Sequence, residues 1–120
     1  MLFKGYTVNP PHRGALPLAQ KSQWTISEWE ELALFFDAQK NLWKCKKNHL
    51  WSIHSEFCKI GEDINSDLYI AKFVVDQGVW HGYPVSPRAF DIPPQNAVRS
   101  WFDSKLISKR DATKINQGKF

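Results

Sequence analysis

The chain is short of the features by which many small proteins declare their chemistry. Two cysteines in 120 residues, Cys45 and Cys58, are too few for a disulfide framework. A reducing cytosol is the expected setting, with both as free thiols. The opening Met1-Leu2-Phe3-Lys4-Gly5-Tyr6 lacks the charged-then-apolar layout of a secretion signal. No apolar run approaches the roughly 20 residues that a membrane-crossing helix needs, so no membrane partner is expected. There is no P-loop, no dinucleotide glycine fingerprint, no H-E-x-x-H and no serine elbow, which argues against nucleotide-dependent enzymes and metalloproteases. No motif asks for a cofactor, and no repeat or low-complexity stretch is visible.

What is present suits one compact domain over residues 1–120. The chain is 42% hydrophobic and 14% aromatic, too rich in core material for a disordered tail. Residues 2–8 alternate like a short strand until Asn9-Pro10-Pro11 stops them. Most of residues 1–23 read as an irregular arm.

Residues 24–39 read as a helix. Thr25 with Glu28 three residues on makes a capping box, and Trp24 with Trp29 a hydrophobic staple. Ile26, Trp29, Leu32, Ala33 and Phe36 recur at helical spacing and are the expected buried stripe. Residues 49–54 alternate weakly, as a strand. Residues 68–85 are the clearest β-signal, a hairpin turning at Gln77-Gly78. A two-residue loop pairs Val75 with Trp80, Val74 with His81, Phe73 with Gly82 and Lys72 with Tyr83; a three-residue loop would shift these partners by one. Pro84 places the second strand at an edge. Pro93-Pro94 opens a helix with Val98, Trp101 and Phe102 inward. Ser108 caps a last helix, Ala112 and Ile115 point inward, and Gly118 ends it. The expected fold is α+β: a capped N-terminal helix against a small antiparallel sheet, with two C-terminal helices.

Charge is segregated. Sixteen Lys and Arg face twelve Asp and Glu, a formal +4. The last 22 residues hold six basic and two acidic side chains, which accounts for the whole excess. Lys40, Lys44, Lys46 and Lys47 form a second basic cluster, and Glu28, Glu30, Glu31 and Asp37 an acidic one. Such segregation attracts anionic partners, nucleic acid or an acidic protein.

Four patterns could carry chemistry. The C-terminal helix pair resembles the outline of a helix-turn-helix, with Lys109, Arg110 and Lys114 on its second helix as phosphate contacts. Trp43, inside the lysine cluster Lys44, Lys46, Lys47, is a candidate for stacking on a base. Lys72, His81, Tyr83 and Arg88 offer a base, a proton donor and phosphate-binding cations of the kind a metal-independent ribonuclease needs. Sequence places no carboxylate or second histidine with them. Cys45, His49, His54 and Cys58 are zinc-type ligands, although their spacing matches no common zinc module.

The leading expectation is a small non-enzymatic module that binds nucleic acid through Lys44, Lys46, Lys47, Lys109, Arg110, Lys114 and Trp43. A protein-interaction factor, such as an inhibitor, an immunity protein or a toxin-antitoxin partner, comes second. A small ribonuclease comes third.

Overall fold

The computed structural model describes residues 5–120. Two three-stranded antiparallel sheets and three helices make up the fold. In chain order they are β1 (Gln23–Trp24), α1 (Glu28–Asn41), β2 (Leu50–Ile53), β3 (Gly61–Glu62), β4 (Asp67–Leu68), β5 (Ile70–Asp76), β6 (Val79–Val85), α2 (Gln95–Asp103) and α3 (Lys109–Asn116). The larger sheet runs β2-β5-β6 and the smaller β1-β3-β4. The α+β arrangement expected from the sequence is therefore the observed one, with a second small sheet added.

The hairpin forms in the register of the two-residue loop, not the three-residue alternative. Lys72 pairs with Tyr83, Phe73 with Gly82, Val74 with His81 and Val75 with Trp80. Gln77 and Gly78 both have positive φ, 53° and 79°, as a type I′ loop requires. β6 is an edge strand, which accommodates Pro84. Gly82 is obligatory for another reason: a Cβ there would collide with the Phe73 ring.

Of the expected strand at residues 2–8, residues 2–4 lie outside the described residues. The remainder makes only a parallel bridge between Tyr6 and Trp80.

The main departure concerns α1. Its capping box is Ser27 with Glu30, not Thr25 with Glu28: Ser27 Oγ accepts from Glu30 N at 3.1 Å and Ser27 N donates to Glu30 Oε1 at 3.2 Å. Pairing with the small sheet delays the start. Trp24 sits opposite Gly61, and Thr25 N donates to Ile60 O at 2.9 Å, so the chain is extended until Ser27. Trp24 is buried, whereas Trp29 is 76% exposed, and the two form no staple.

The helix is also rotated relative to the expected stripe. Glu31, Leu34, Phe35 and Ala38 face the core, while Trp29 and Ala33 are exposed and Leu32 and Phe36 half-buried. Phe35 packs 5.4 Å from Phe73 and 5.6 Å from Trp80, ring centre to ring centre. Burying Leu34 and Phe35 contributes about 1.5–3 kcal/mol each.

Glu31 is fully buried. Its carboxylate accepts from Arg13 Nε at 3.1 Å and Nη2 at 2.8 Å, and from the Tyr6 hydroxyl. Arg13 Nη1 also donates to Ile26 O at 2.7 Å. Burial pushes the Glu31 carboxyl up, and the bonds from Tyr6 and Arg13 pull it back.

α2 and α3 largely follow expectation. Ala97, Val98 and Trp101 are buried on α2, and Ile115 on α3. Phe102 is 38% exposed and not part of the core. Ser108 Oγ caps α3 by accepting from Asp111 N at 3.0 Å. These residues join the α1 and sheet side chains in one hydrophobic cluster.

Two outcomes follow from the Glu31 network. Glu31→Ala leaves a half-buried guanidinium and a tyrosine hydroxyl without their carboxylate, and should cost about 2–4 kcal/mol in denaturant unfolding. A loss below about 1 kcal/mol would contradict the network's role. Tyr6 is raised far above the ordinary tyrosine value, first by burial and then by the Glu31 charge. The fold keeps this proton where the unfolded chain releases it. The Tyr6 contribution to stability is therefore fully present below about pH 10 and is lost as pH rises beyond it. Tyr6→Phe should flatten that alkaline slope.

Candidate functional site

Register puts Lys72, Val74, His81 and Tyr83 on the face of β5 and β6 opposite Phe73. Trp51 of β2 pairs with Lys72 from the other side, so Trp51, Lys72 and Tyr83 form a row across the sheet. The Lys72 ammonium lies 5.1 Å from the centre of the Trp51 ring and 3.0 Å from Asp91 Oδ1. Lys72 is only 8% exposed, and a buried ammonium needs such a partner. Asp91 comes from the short 3-10 turn Ala89–Asp91 that follows β6.

The row continues beyond the sheet edge. The His12 ring stacks on Tyr83, 5.0 Å between centres and 15° between planes. His12 ends the 3-10 turn Pro10–His12, whose first two positions suit proline. Its Nδ1 lies 2.7 Å from Ser22 O. A carbonyl only accepts, so Nδ1 carries the proton in the neutral ring and Nε2 is left as the basic nitrogen. Ser22 Oγ in turn donates to Pro84 O at 2.8 Å.

Around these groups lies an open cleft of about 390 Å3, bordered by His12, Lys21, Ser22, Tyr83, Arg88 and Asp91 among others. Burial, assisted by the charges of Lys21 and His81, holds His12 below the ordinary histidine value; its bond to Ser22 opposes this. Burial pushes Tyr83 up, against the Lys72 charge and with that of Asp91. His49 is likewise lowered, first by burial and then by Lys72 and Lys47, with Asp91 opposing. These couplings trace one neighbourhood, from Lys47 through His49 to Lys72 and Asp91, and from Tyr83 through His12 to His81 and Lys21. Among the described residues, none of the charges felt at His12, His49 or Tyr83 belongs to α3.

The sequence-derived candidates fare differently. Lys44, Lys46 and Lys47 are exposed. Leu42, left-handed at φ 55°, reverses the chain after α1, and a bridge between Lys44 and Leu50 follows. Asn48 N donates to Cys45 O at 2.9 Å, so Lys46 and Lys47 form the tip of a tight turn. Trp43 is not available for stacking on a base. It is 7% exposed, donates from Nε1 to Ser100 Oγ at 3.0 Å, and meets Trp101 edge-on. In the bridge its neighbour Lys44 turns outward and Trp43 turns in.

Lys109 and Arg110 are exposed on α3 and Lys114 is half-buried. Lys109 borders a groove between α2 and α3 with Gln95, Val98, Arg99 and Phe102. The turn between these helices places Lys105, not glycine, at positive φ, 62°.

Of the ribonuclease set, Lys72, His81 and Tyr83 do share a face. Arg88 stands at the rim but spends its guanidinium on main-chain oxygens of Phe120 and Gly118, at 3.0 and 3.4 Å. The structure supplies what the sequence reading lacked, a carboxylate in Asp91 and a second histidine in His12. Both arrive from distant chain segments, and no local signal marked either.

Cys45, His49, His54 and Cys58 do not come together. Among the described residues no group of three or more His, Cys, Asp or Glu is placed to hold a metal. The extended β2 separates His49 from His54 by roughly 16 Å at about 3.3 Å per residue. His54 Nδ1 instead accepts from Glu56 N at 3.1 Å, and both cysteines are free.

Among the described residues, no helix is long and apolar enough to cross a membrane. Comparison of the chain with protein-family models, with curated proteins and with solved structures finds no match.

His12 and His49 both have lowered values, so the unfolded chain takes up protons first as pH falls. Stability should rise with pH up to about 6.5 and decline below it. His12→Phe keeps a ring against Tyr83 and removes one titrating group. A shallower acid slope in thermal melts between about pH 5 and 6.5 is expected; an unchanged slope would show that His12 is not held in its neutral form.

Proposed function

We propose that this domain binds nucleic acid without cleaving it, through the exposed lysine turn before β2 and the partly exposed end of the β5–β6 face that carries His81 and Tyr83. One observation carries this reading. The lysine turn leads directly into β2, whose Trp51 pairs with Lys72, and Asp91, the ion-pair partner of Lys72, borders a polar cleft with Asp63, His12, Lys21, Ser22 and Tyr83. Lys44, Lys46 and Lys47 are exposed, with no carboxylate at ion-pair distance among the described residues. Their charge is available to phosphates. A phosphate in the cleft would meet Lys21, and binding would favour protonation of His12. Lys109, Arg110 and Lys114 would extend the contact along the strand. Two free cysteines suit residence in the cytoplasm.

A second reading, metal-independent RNA cleavage, gains support from His12. Its basic Nε2, beside a sheet face that also bears His81, Tyr83 and Lys72, is the kind of group that removes a proton from a ribose hydroxyl.

Fluorescence anisotropy with labelled single-stranded RNA and duplex DNA tests both readings. Binding at about 50 mM salt should weaken steeply by about 200 mM. Lys46→Ala with Lys47→Ala should cut affinity roughly five- to tenfold and lower the salt slope by about 2. The same comparison with Lys109→Ala and Arg110→Ala decides whether α3 shares the surface. No binding to either probe at low salt would overturn the proposal. RNA cleavage in chelator that disappears with His12→Ala would replace binding by the second reading.

A further inference from the structure

The 3-10 turn after β6 holds out an aromatic ring that the fold itself does not pack. Phe90 is 94% exposed, the most exposed large hydrophobic side chain among the described residues. Leaving it in water forgoes the stabilisation that burying a phenylalanine brings. The turn that carries it is nevertheless fastened at both ends. Before it, Arg88 Nη2 and Nη1 donate to the main-chain oxygens of Phe120 and Gly118 at 3.0 and 3.4 Å. After it, Asp91 N donates to Arg88 O at 3.0 Å, and the Asp91 carboxylate pairs with Lys72. Between them Ala89 is left-handed at φ 54°, a conformation that a residue with a Cβ keeps only where its surroundings enforce it. A strained, tied-down turn that presents an unpacked ring has the character of a binding element.

The ring stands beside the polar cleft, because Arg88 and Asp91, on either side of it in the chain, both border that cleft. Lys21 is exposed on the same border, with no carboxylate at ion-pair distance among the described residues. The two carboxylates at the cleft are engaged. Asp91 holds Lys72, and Asp63 Oδ1 accepts from Asn65 N, Ser66 N and Ser66 Oγ at 2.8, 2.8 and 3.2 Å. Resting on the nucleic-acid reading, we infer that Phe90 stacks on an unpaired base of a single strand while Lys21 meets its phosphate in the cleft. A base inside a duplex has both faces covered by its neighbours and cannot receive the ring, whereas an unpaired base can. Such stacking is tolerant of sequence, since every base has a π-face. The ligand is therefore single-stranded nucleic acid, bound with little sequence preference. Phe90 takes the stacking role that the sequence suggests for Trp43, which is buried.

Anisotropy of the full chain with three labelled probes tests this: a single-stranded oligonucleotide, an abasic strand of the same length, and a duplex. The abasic strand keeps the phosphates and lacks the bases. The single strand should bind roughly tenfold more tightly than the abasic strand, and more tightly than the duplex. Phe90→Ala should erase the advantage over the abasic strand and leave binding of the other two probes unchanged. The salt dependence should also be unchanged, because no phosphate contact is lost. Phe90→Trp should bind the single strand at least as tightly as the parent, and Phe90→Leu should behave like Phe90→Ala. Thermal unfolding of all three variants should match the parent, since the position is exposed. Full single-strand affinity in Phe90→Ala or Phe90→Leu would overturn the inference, as would an equal loss on the abasic strand or a duplex bound more tightly than the single strand. In each of those cases the strands still bind, so the nucleic-acid reading stands. No binding of any probe would overturn that reading and this inference together. Sedimentation showing a dimer that Phe90→Ala dissolves would assign the ring to a second copy instead.

Discussion

The buried Glu31 carboxylate is the constraint on which the rest of the structure depends. Hydrophobicity does not settle which side of α1 faces inward, because apolar residues occur all round it. Glu31 settles it. A carboxylate in the core is tolerable only when its lone pairs are filled, and here Arg13 and the Tyr6 hydroxyl fill them. With Glu31 inward, Leu34, Phe35 and Ala38 follow it at helical spacing, and Trp29 and Ala33 must turn to solvent.

The arm that supplies these partners also builds the other face. Tyr6 bridges Trp80 of the edge strand β6 and packs 4.7 Å from Phe35 on the α1 side of the sheet. A few residues later His12 stacks on Tyr83, on the opposite side. The segment therefore wraps around β6, protecting an edge that would otherwise offer unpaired backbone groups. It fixes the helix rotation on one face and carries a basic nitrogen to the cleft on the other. The adjacent residues His12 and Arg13 reach the two faces, His12 to Tyr83 and Arg13 to Glu31.

Much of the fold was legible because the deciding signals were local. The Gln77-Gly78 turn and strict alternation set the β5–β6 register, and with it the common face of Lys72, His81 and Tyr83. Ser108 and the Pro93-Pro94 pair marked the last two helices. The orientation of α1 was not legible, because two stripes compete. The one through Trp29, Leu32, Ala33 and Phe36 is the more apolar; the other includes Glu31, which reads as a surface residue unless its partners are known. The start of α1 was displaced by sheet pairing with residues around Gly61, a tertiary effect. Trp43 looked exposed among lysines, yet the αL residue Leu42 turns it back under α2. His12 and Asp91 join the sheet face from distant parts of the chain, so the site was only half visible beforehand.

The most direct test of this account sets two alanines of α1 against each other. Ala33 is exposed and Ala38 is fully buried, and both sit well inside the helix. Aspartate at either position carries the same helix-propensity cost. Chemical unfolding of Ala33→Asp should stay within about 1 kcal/mol of the parent, whereas Ala38→Asp should lose about 3 kcal/mol or more, or fail to fold. The reverse ranking, with Ala33→Asp the damaging change, would mean that α1 buries its tryptophan side and leaves Glu31 outside the core.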